Sequence, residues 1–204
     1  NFIIENIVIE DHNIFGRYLI KFDESDGMIN NMEVRNNYTS ENADAVDLIM
    51  IDGSDLFFSE LKIISNQVIA DVWANVIRIA WIAWDDNLTI KNALIAENQF
   101  TSQLISNFSN EGLSLINSTI TKNITSSDCL MDEGGVWGDQ FHIINSIIWE
   151  NQTEGNYLCG NGDSFDETYA YFSNSDQPIG IGGECFSDDH SCDEYDENWC
   201  QWGI

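Results

Sequence analysis

A short segment that begins with asparagine recurs along most of this 204-residue chain. In its fullest form, Asn145 to Asn151 (NSIIWEN), apolar and polar residues stand between two asparagines. Self-similarity at a period of 25 to 32 residues is typical of proteins built from stacked structural repeats. Six copies can be aligned, and they begin at Asn6, Asn31, Glu60, Asn92, Asn117 and Asn145.

A second polar position follows six residues after the first in each copy. Between the two positions apolar residues alternate, as in Ile7 and Ile9 or Met32 and Val34, which is typical of a strand with one buried face. A further apolar segment and a polar, often acidic, turn separate most copies, so the predicted order is strand, acidic turn, strand, asparagine turn. The second polar positions are His12, Asn37, Asn66, Asn98, Asn123 and Asn151.

A chain that winds once per repeat places equivalent residues of successive rungs roughly 4.8 Å apart. The side-chain amide of an asparagine can then donate to one neighbouring rung and accept from the other. Glutamate does this only in part, and Glu60 is accordingly the weakest copy. We therefore predict a structural, non-catalytic ladder formed by Asn6, Asn31, Asn92, Asn117 and Asn145.

The repeats NSIIWEN and NSTITKN (residues 117–123) resemble those of right-handed parallel β-helix proteins of the pectate-lyase-like superfamily. The resemblance is closest to secreted or surface-attached bacterial proteins with Asn-rich rungs. It implies an all-β fold, a right-handed parallel β-helix with about six to seven rungs over residues 1–175. The superfamily includes lyases, glycosidases, adhesins, phage tailspikes and structural modules, so the fold implies no single activity.

All five cysteines follow residue 128. Zinc sites normally contain closely spaced CxxC or CxxH pairs, which are absent, so the clustering favours disulfides in an extracellular protein. We predict that residues 176–204 form a disulfide-bonded cap over the last rung, with one cysteine left free or paired to another chain. The disulfide candidates are Cys129, Cys159, Cys185, Cys192 and Cys200.

The charge balance is strongly acidic, with 35 Asp and Glu against 7 Lys and Arg and a net charge of −28. Nucleic acids and anionic membranes are poor partners, since binding phosphates requires clustered cations. No apolar run is long enough for a transmembrane helix, so we expect no membrane insertion. The N-terminus, with neither a starting Met nor a basic leader, suggests a processed or excised chain at the cell surface or outside the cell.

Several short polar loops concentrate carboxylates, the hard oxygen ligands that Ca²⁺ prefers. None of them matches an EF-hand or another calcium repeat. A bound Ca²⁺ is one hypothesis for these loops, and a solvated acidic turn is the alternative. The candidate ligands are Asp23, Asp26, Asp52, Asp55, Asp163, Asp166, Asp188 and Asp189.

Two further features leave alternatives open. Residues 68–84 fit either a short helix followed by a strand or one long strand, and Trp73, Trp81 and Trp84 fit either buried stacking or a platform for a sugar. Among the Asn-X-Ser/Thr sequences, Asn37 and Asn87 are candidates for glycosylation.

The catalytic motifs of the superfamily are not complete. Asp85-Asp86 is the only adjacent pair of aspartates on the predicted β-helix, no histidine lies between glycines, and Arg78-Ile79 is followed by Ala80 instead of lysine. We therefore predict a non-catalytic extracellular structural or adhesive module. It would associate with other surface proteins or with itself, head to tail with divalent cations between acidic subunits.

The rival hypothesis is an enzyme or binding module for a neutral glycan, with a carboxylate pair and with Trp73, Trp81, Trp84 or Trp149 as the sugar platform. An ice-binding face is disfavoured because Thr89, Thr119 and Thr121 do not continue through the other rungs.

Overall fold

The computed structural model describes residues 1–39, 43–80, 88–107, 113–127, 129–133, 140–154, 157–159, 167–171, 173–175, 184–187 and 190–191. Every regular element in these ranges is a β-strand. The strands stack into a parallel β-solenoid of about four turns. The all-β class and the parallel coil predicted from the repeat are thereby confirmed, whereas the count of six to seven rungs stays a prediction.

Three sheets form the walls of the solenoid. The first sheet has thirteen strands. They are β1 (Phe2–Glu10), β4 (Gly27–Arg35), β7 (Leu56–Ile64), β10 (Leu88–Lys91), β11 (Leu94–Ala96), β14 (Leu113–Ile116), β15 (Thr119–Thr121), β18 (Gln140–Ile144), β19 (Ile147–Trp149), β21 (Glu167–Tyr171), β22 (Asn174–Ser175), β23 (Glu184–Ser187) and β24 (His190–Ser191).

The second and third sheets have five and six strands. The second sheet contains β2 (Asn13–Ile14), β5 (Tyr38–Thr39), β8 (Gln67–Val68), β12 (Gln99–Phe100) and β16 (Ile124–Thr125). The third contains β3 (Tyr18–Asp23), β6 (Ala45–Asp52), β9 (Trp73–Ile79), β13 (Ile105–Asn107), β17 (Cys129–Glu133) and β20 (Tyr157–Cys159). From β1 to β17 the chain visits the three sheets in this order in each turn.

The register of the strands follows the period of the sequence. Ile7 lies opposite Met32, and Met32 lies opposite Leu61, so residues at the same phase of consecutive copies are neighbours. The open question over residues 68–84 is settled for its described part, because Trp73–Ile79 is a strand. Residues 81–87, with Trp81 and Trp84, lie outside the described residues.

The core is a continuous apolar column inside the coil. Inward residues alternate with outward ones along the first sheet, as in β14, where Leu113 and Leu115 are buried and their neighbours are half-buried. Phe22 joins successive rungs, because its ring stacks on Phe2 at 6.0 Å and meets Phe58 edge-on at 5.9 Å. Each fully buried side chain of this size contributes about 1.5–3 kcal/mol through removal of apolar surface from water.

Two bends in each turn place a residue in the left-handed backbone region. Asn6, Asn92 and Asn117 have φ values of 57°, 56° and 50°, and Glu60, their counterpart in the third copy, has 59°. Most L-residues adopt this conformation at a cost of roughly 1–2 kcal/mol, whereas asparagine and aspartate tolerate it better. The recurrent asparagine is therefore selected first by backbone geometry. The second bend of each turn lies at Asp11, Asn36, Ser65, Glu97, Lys122 and Glu150.

A buried asparagine ladder runs immediately after the second bend. The Oδ1 atom of Asn98 accepts from the backbone N–H of Asn66 at 3.0 Å and from Asn66 Nδ2 at 2.9 Å. Asn98 in turn donates from its Nδ2 to Asn123 Oδ1 at 2.9 Å and to the carbonyl of Ile63 at 2.9 Å. The same pattern joins the other members, which are Asn37, Asn66, Asn98, Asn123 and Asn151, all at most 6% exposed.

The C-terminal part continues the first sheet, because β23 pairs in parallel with β21 before the chain turns back into the antiparallel strand β24. Residues 176–183, 188–189 and 192–204 lie outside the described residues. The boundary at residue 175, the cap and its disulfides therefore stay predictions. Described backbone pairs set Cys129 opposite Tyr157, Cys159 opposite Met131 and Cys185 opposite Thr168.

Replacing Asn98 with alanine tests the ladder. The change leaves the N–H of Asn66 and the carbonyl of Ile63 without their side-chain partner in a dry environment, and each unsatisfied group costs about 1–3 kcal/mol. We expect the unfolding free energy in urea to fall by at least about 3 kcal/mol.

Asn92→Gly is the matched control. Asn92 is an exposed asparagine in a bend with φ 56°, a conformation that glycine adopts without steric strain. Its unfolding free energy should stay within about 1 kcal/mol of the parent. Equal losses in the two variants would contradict a special role for the buried series.

Candidate functional site

The predicted asparagine ladder lies on the outer surface of the first sheet. Asn31 Nδ2 donates to Asn6 Oδ1 at 2.8 Å, and Asn145 Nδ2 donates to Asn117 Oδ1 at 2.8 Å. Asn117 reaches Asn92 at 3.4 Å. All five side chains are exposed, and Glu60 stands between Asn31 and Asn92. This outer asparagine column links exposed amides of neighbouring rungs, whereas buried backbone groups are satisfied by the inner series that contains Asn98 and, next to the outer column, by the hydroxyls of Ser118, Ser146 and Ser173.

Asn37 belongs to that inner series, and its side chain is fully buried. Its Nδ2 atom donates to the carbonyls of Ile9 and Arg35, both at 3.0 Å, and to Asn66 Oδ1 at 2.9 Å. A glycan on Nδ2 would remove these bonds and has no room in the core. The expectation of glycosylation at Asn37 is therefore incompatible with the folded chain, and Asn87 lies outside the described residues.

Two of the predicted acidic turns stack on each other. Asp23 lies opposite Asp52 in the third sheet, and Lys21 Nζ lies between them, at 2.8 Å from Asp23 Oδ1 and 3.1 Å from Asp52 Oδ2. Hydrogen bonds to Asp23 and Asp52 raise the pKa of Lys21 to about 12. Asp26 Oδ1 accepts the backbone N–H of Asp55 at 3.3 Å. Lys21 thus supplies positive charge to two of the turns for which Ca²⁺ is one hypothesis.

Within the described ranges, no group of three or more His, Cys, Asp or Glu is arranged to hold a metal ion. The remaining candidate ligands, Asp163, Asp166, Asp188 and Asp189, lie outside those ranges. Calcium binding stays a prediction for the chain as a whole.

A buried carboxylate lies in the third sheet, where sequence reasoning assigned no function. Asp47 has 0% exposure, and its Oδ1 atom accepts from Asn75 Nδ2 at 2.8 Å. Its Oδ2 atom has no hydrogen-bond partner and lies 3.8 Å from Arg78 Nη1. Burial raises the pKa of Asp47, while the Asn75 hydrogen bond and the charges of Arg78 and Arg17 act in the opposite direction.

Trp73 lies beside this carboxylate, between two guanidinium groups. Arg17 lies 5.6 Å from the centre of the Trp73 ring and Arg78 lies 5.1 Å from it, which are cation–π distances. The Trp73 side chain is half-buried, and the choice between buried stacking and a sugar platform stays a prediction. An aspartate inside the apolar run Val46-Asp47-Leu48 was the signal that could have pointed to this cluster.

The first rung of the solenoid has an exposed edge. Among the described residues β1 pairs only with β4, so no described strand lies along its other edge. Ile3 is 70% exposed and Val8 55%, and Phe15, just after β2, is 82% exposed. The inward side chains Phe2 and Ile4 pack against the core and remain partly exposed. This end therefore presents both an unpaired strand and part of the apolar interior.

No protein-family model, curated protein or solved structure matches the chain. In the ranges that the structure describes, no helix has the length and apolar composition needed to cross a membrane.

The buried carboxylate makes a prediction about pH. Because the folded-state pKa of Asp47 is raised, ionising it disfavours the folded state, and this penalty develops as pH rises from the ordinary carboxyl value of 3.8 through the raised pKa. In Asp47→Asn the penalty is absent. The unfolding free energy of Asp47→Asn minus that of the parent should therefore increase with pH across this window.

The measurement is urea unfolding of both proteins at several pH values. The difference between them isolates Asp47 from the other titrating groups, which both proteins share. Asp44→Asn in the preceding segment is the control, and its difference from the parent should show no comparable rise. A difference that stays level or falls for Asp47→Asn would contradict the burial argument.

Proposed function

We propose that this chain is a non-catalytic extracellular module with a structural or adhesive role, which associates with itself through the exposed edge of β1. We also propose that the chain belongs to the right-handed β-helix proteins of the pectate-lyase-like superfamily. The Asn-rich rungs support this part of the proposal. The observation that carries the functional proposal is the combination of an unpaired strand and a partly exposed core at one end.

The backbone of β1 supports docking of a further strand. The N–H of Phe2 donates to the carbonyl of Asp26 at 3.0 Å, so Phe2 faces β4. In a parallel ladder the residues that bond to a given neighbour alternate, which directs the N–H and C=O of Ile3 to the opposite edge. An incoming strand would find donors and acceptors already held in an extended conformation.

The apolar side chains of the first rung support the same conclusion. Phe2, Ile4 and Ile7 contact the core on one side and water on the other. Covering these side chains with another rung would remove apolar surface from water. This would stabilise the contact by roughly 25 cal/mol for each Å² of apolar surface buried. A second copy with the same period of 25 to 32 residues offers a rung of matching width.

Electrostatics sets a condition on such stacking. Glu5 and Glu10 lie on β1, and Arg35 Nε donates to Glu10 at 2.6 Å, which neutralises one of the two. The net charge of −28 opposes the approach of two copies at low ionic strength. Divalent cations or salt would reduce this repulsion, which is how the predicted Ca²⁺ enters the proposal.

The substitution Ile3→Pro tests the edge. Proline removes the N–H that faces the open edge and leaves the Phe2 bond to Asp26 in place. We expect the parent chain to form larger species in millimolar Ca²⁺, measured by sedimentation velocity. Ile3→Pro should remain monomeric at concentrations at least tenfold higher.

Ile3→Thr is the matched control, because threonine keeps the N–H and favours strands. The concentration at which Ile3→Thr associates should equal that of the parent or lie within a few-fold of it. A parent chain that stays monomeric at all Ca²⁺ and salt concentrations would refute the proposal. So would equal association of the proline and threonine variants.

A further inference from the structure

The seven lysines and arginines are unevenly distributed along the chain. All of them lie at or before Lys122, whereas residues 123–204 contain 17 of the 35 aspartates and glutamates. A solenoid orders successive segments of the sequence along its axis, so this imbalance becomes a charge gradient along the coil. We call the end that carries β23 and β24 the late end.

The register of the sheets shows the same gradient. One column of the third sheet, in which each residue lies opposite the next, begins with a lysine and ends with an aspartate: Lys21, Met50, Arg78, Ser106 and Asp132. In the first sheet, Glu167 of β21 lies opposite Glu184 of β23, and like charges at opposing positions of neighbouring strands repel. No lysine or arginine follows Lys122 in the sequence to offset these acids.

The first rung carries an arginine in the short link between β2 and β3. Among the described strands, β1, β2 and β3 are outermost in their sheets at this end. The carbonyl of Arg17 accepts the N–H of Asp47 at 2.8 Å, which fastens the link to the second turn. Phe15, in the same link, is 82% exposed. Arg17 therefore belongs to the same outermost rung as the open edge of β1.

Aromatic rings hold the exposed side chain of Arg17. Its guanidinium carbon lies 5.5 Å from the centre of the Tyr18 ring and 5.6 Å from that of Trp73. A guanidinium has five N–H donors, and the attraction between its charge and a ring does not require them. Within the described part of the chain, no ion pair or side-chain hydrogen bond engages these donors.

The other two arginines differ from Arg17 in this respect. Arg35 and Arg78 each contact at least one carboxylate of their own chain, as does Lys21 beside Arg17 on the third sheet. Arg17 is thus the arginine whose charge the described residues leave for an external carboxylate. Arginine binds a carboxylate through two parallel N–H···O bonds, which gives the contact a defined geometry.

The composition around Arg17 favours a protein partner. Tyrosine, tryptophan and arginine are the residues most enriched among those that dominate the binding energy of protein interfaces. Tyr18 and Trp73 are both half-buried, so they offer apolar surface beside the charge. A partner for this place needs carboxylates, and the late end of a second copy supplies them.

Two charge effects compete in such a contact. Repulsion between two chains of net charge −28 acts over long distances and is mostly screened beyond about 8 Å at physiological salt. A carboxylate in contact with Arg17, partly shielded from water by the two rings, is screened less. The contact pair therefore persists under conditions that suppress the repulsion.

We propose that Arg17 anchors the self-association by binding a carboxylate at the late end of a second copy. This inference rests on the proposed function, and it adds the cationic residue and the acidic end that meet. Because the anchor and the carboxylates lie at different ends, the contact is heterologous.

Arg17→Gln tests the anchor by removing its charge. The concentration at which the chain associates, measured by sedimentation velocity in millimolar Ca²⁺, should rise at least about tenfold. Lys62→Gln is the matched control, because Lys62 is an exposed cation on β7 and its loss gives the same net charge. Its association should stay within a few-fold of the parent. Arg17→Lys keeps the charge and should recover part of the loss.

Arg17→Glu tests the polarity of the contact. This variant keeps its late end and can add to Arg17 of a parent assembly, but it offers no anchor to the next copy. An excess of Arg17→Glu should therefore shorten the assemblies of the parent.

Three results would overturn the inference while leaving the edge of β1 in place, provided that Ile3→Pro still blocks association. The first is equal association of Arg17→Gln and Lys62→Gln. The second is an Arg17→Lys variant as weak as Arg17→Gln, which would assign the effect to lost packing on the rings. The third is a parent assembly whose length Arg17→Glu does not change. A parent that never associates would instead overturn both proposals.

Discussion

The solenoid depends on one hydrogen-bond arrangement, in which the Oδ1 atom of a buried asparagine accepts two N–H groups of the preceding rung. One of these belongs to the backbone and the other to the preceding asparagine, as Asn123 does for Asn98 at 3.1 and 2.9 Å. The bend at this point turns backbone groups towards the core, where unpaired polar groups are costly. Each asparagine accepts hydrogen bonds from the rung before it. The buried polar groups of a rung are therefore hydrogen-bonded only when the next rung is stacked on it.

The bends themselves explain why one residue type recurs. The first bend of each turn needs a left-handed residue, and asparagine combines tolerance of that conformation with an amide that can join neighbouring rungs. Glu60, Ser65, Glu97, Lys122 and Glu150 show that other residues are accepted at these bends when the stacking on either side holds them. The buried positions admit less variation, and among the described rungs His12 alone replaces an asparagine there.

In a coil, the length of the repeat decides which residues of neighbouring strands lie opposite each other. The architecture could therefore be predicted from the sequence. Ile7, Met32 and Leu61 occupy the same position of consecutive repeats, and they lie opposite one another in the first sheet. The sequence could not reveal which of the two asparagine series lies inside, since both repeat with the same period. The partner of Asp47 was equally hidden, because only the stacking of two turns places Asn75 opposite Asp47. The Lys21 contacts with Asp23 and Asp52 likewise require two turns to be stacked before the charges meet.

The buried ladder also has a direction, since each Oδ1 acceptor belongs to the later rung and each N–H that donates to it belongs to the earlier one. If two copies met first rung to first rung, their β1 strands would run in opposite directions. Two identical ends of the asparagine ladder would then face each other. A rung that continued the asparagine ladder beyond β1 would therefore arrive by translation along the axis, with its own late end facing His12. Contacts of this kind are heterologous and do not close on themselves, so an assembly built on this ladder would be a fibre with two chemically different ends, growing as a polar filament does.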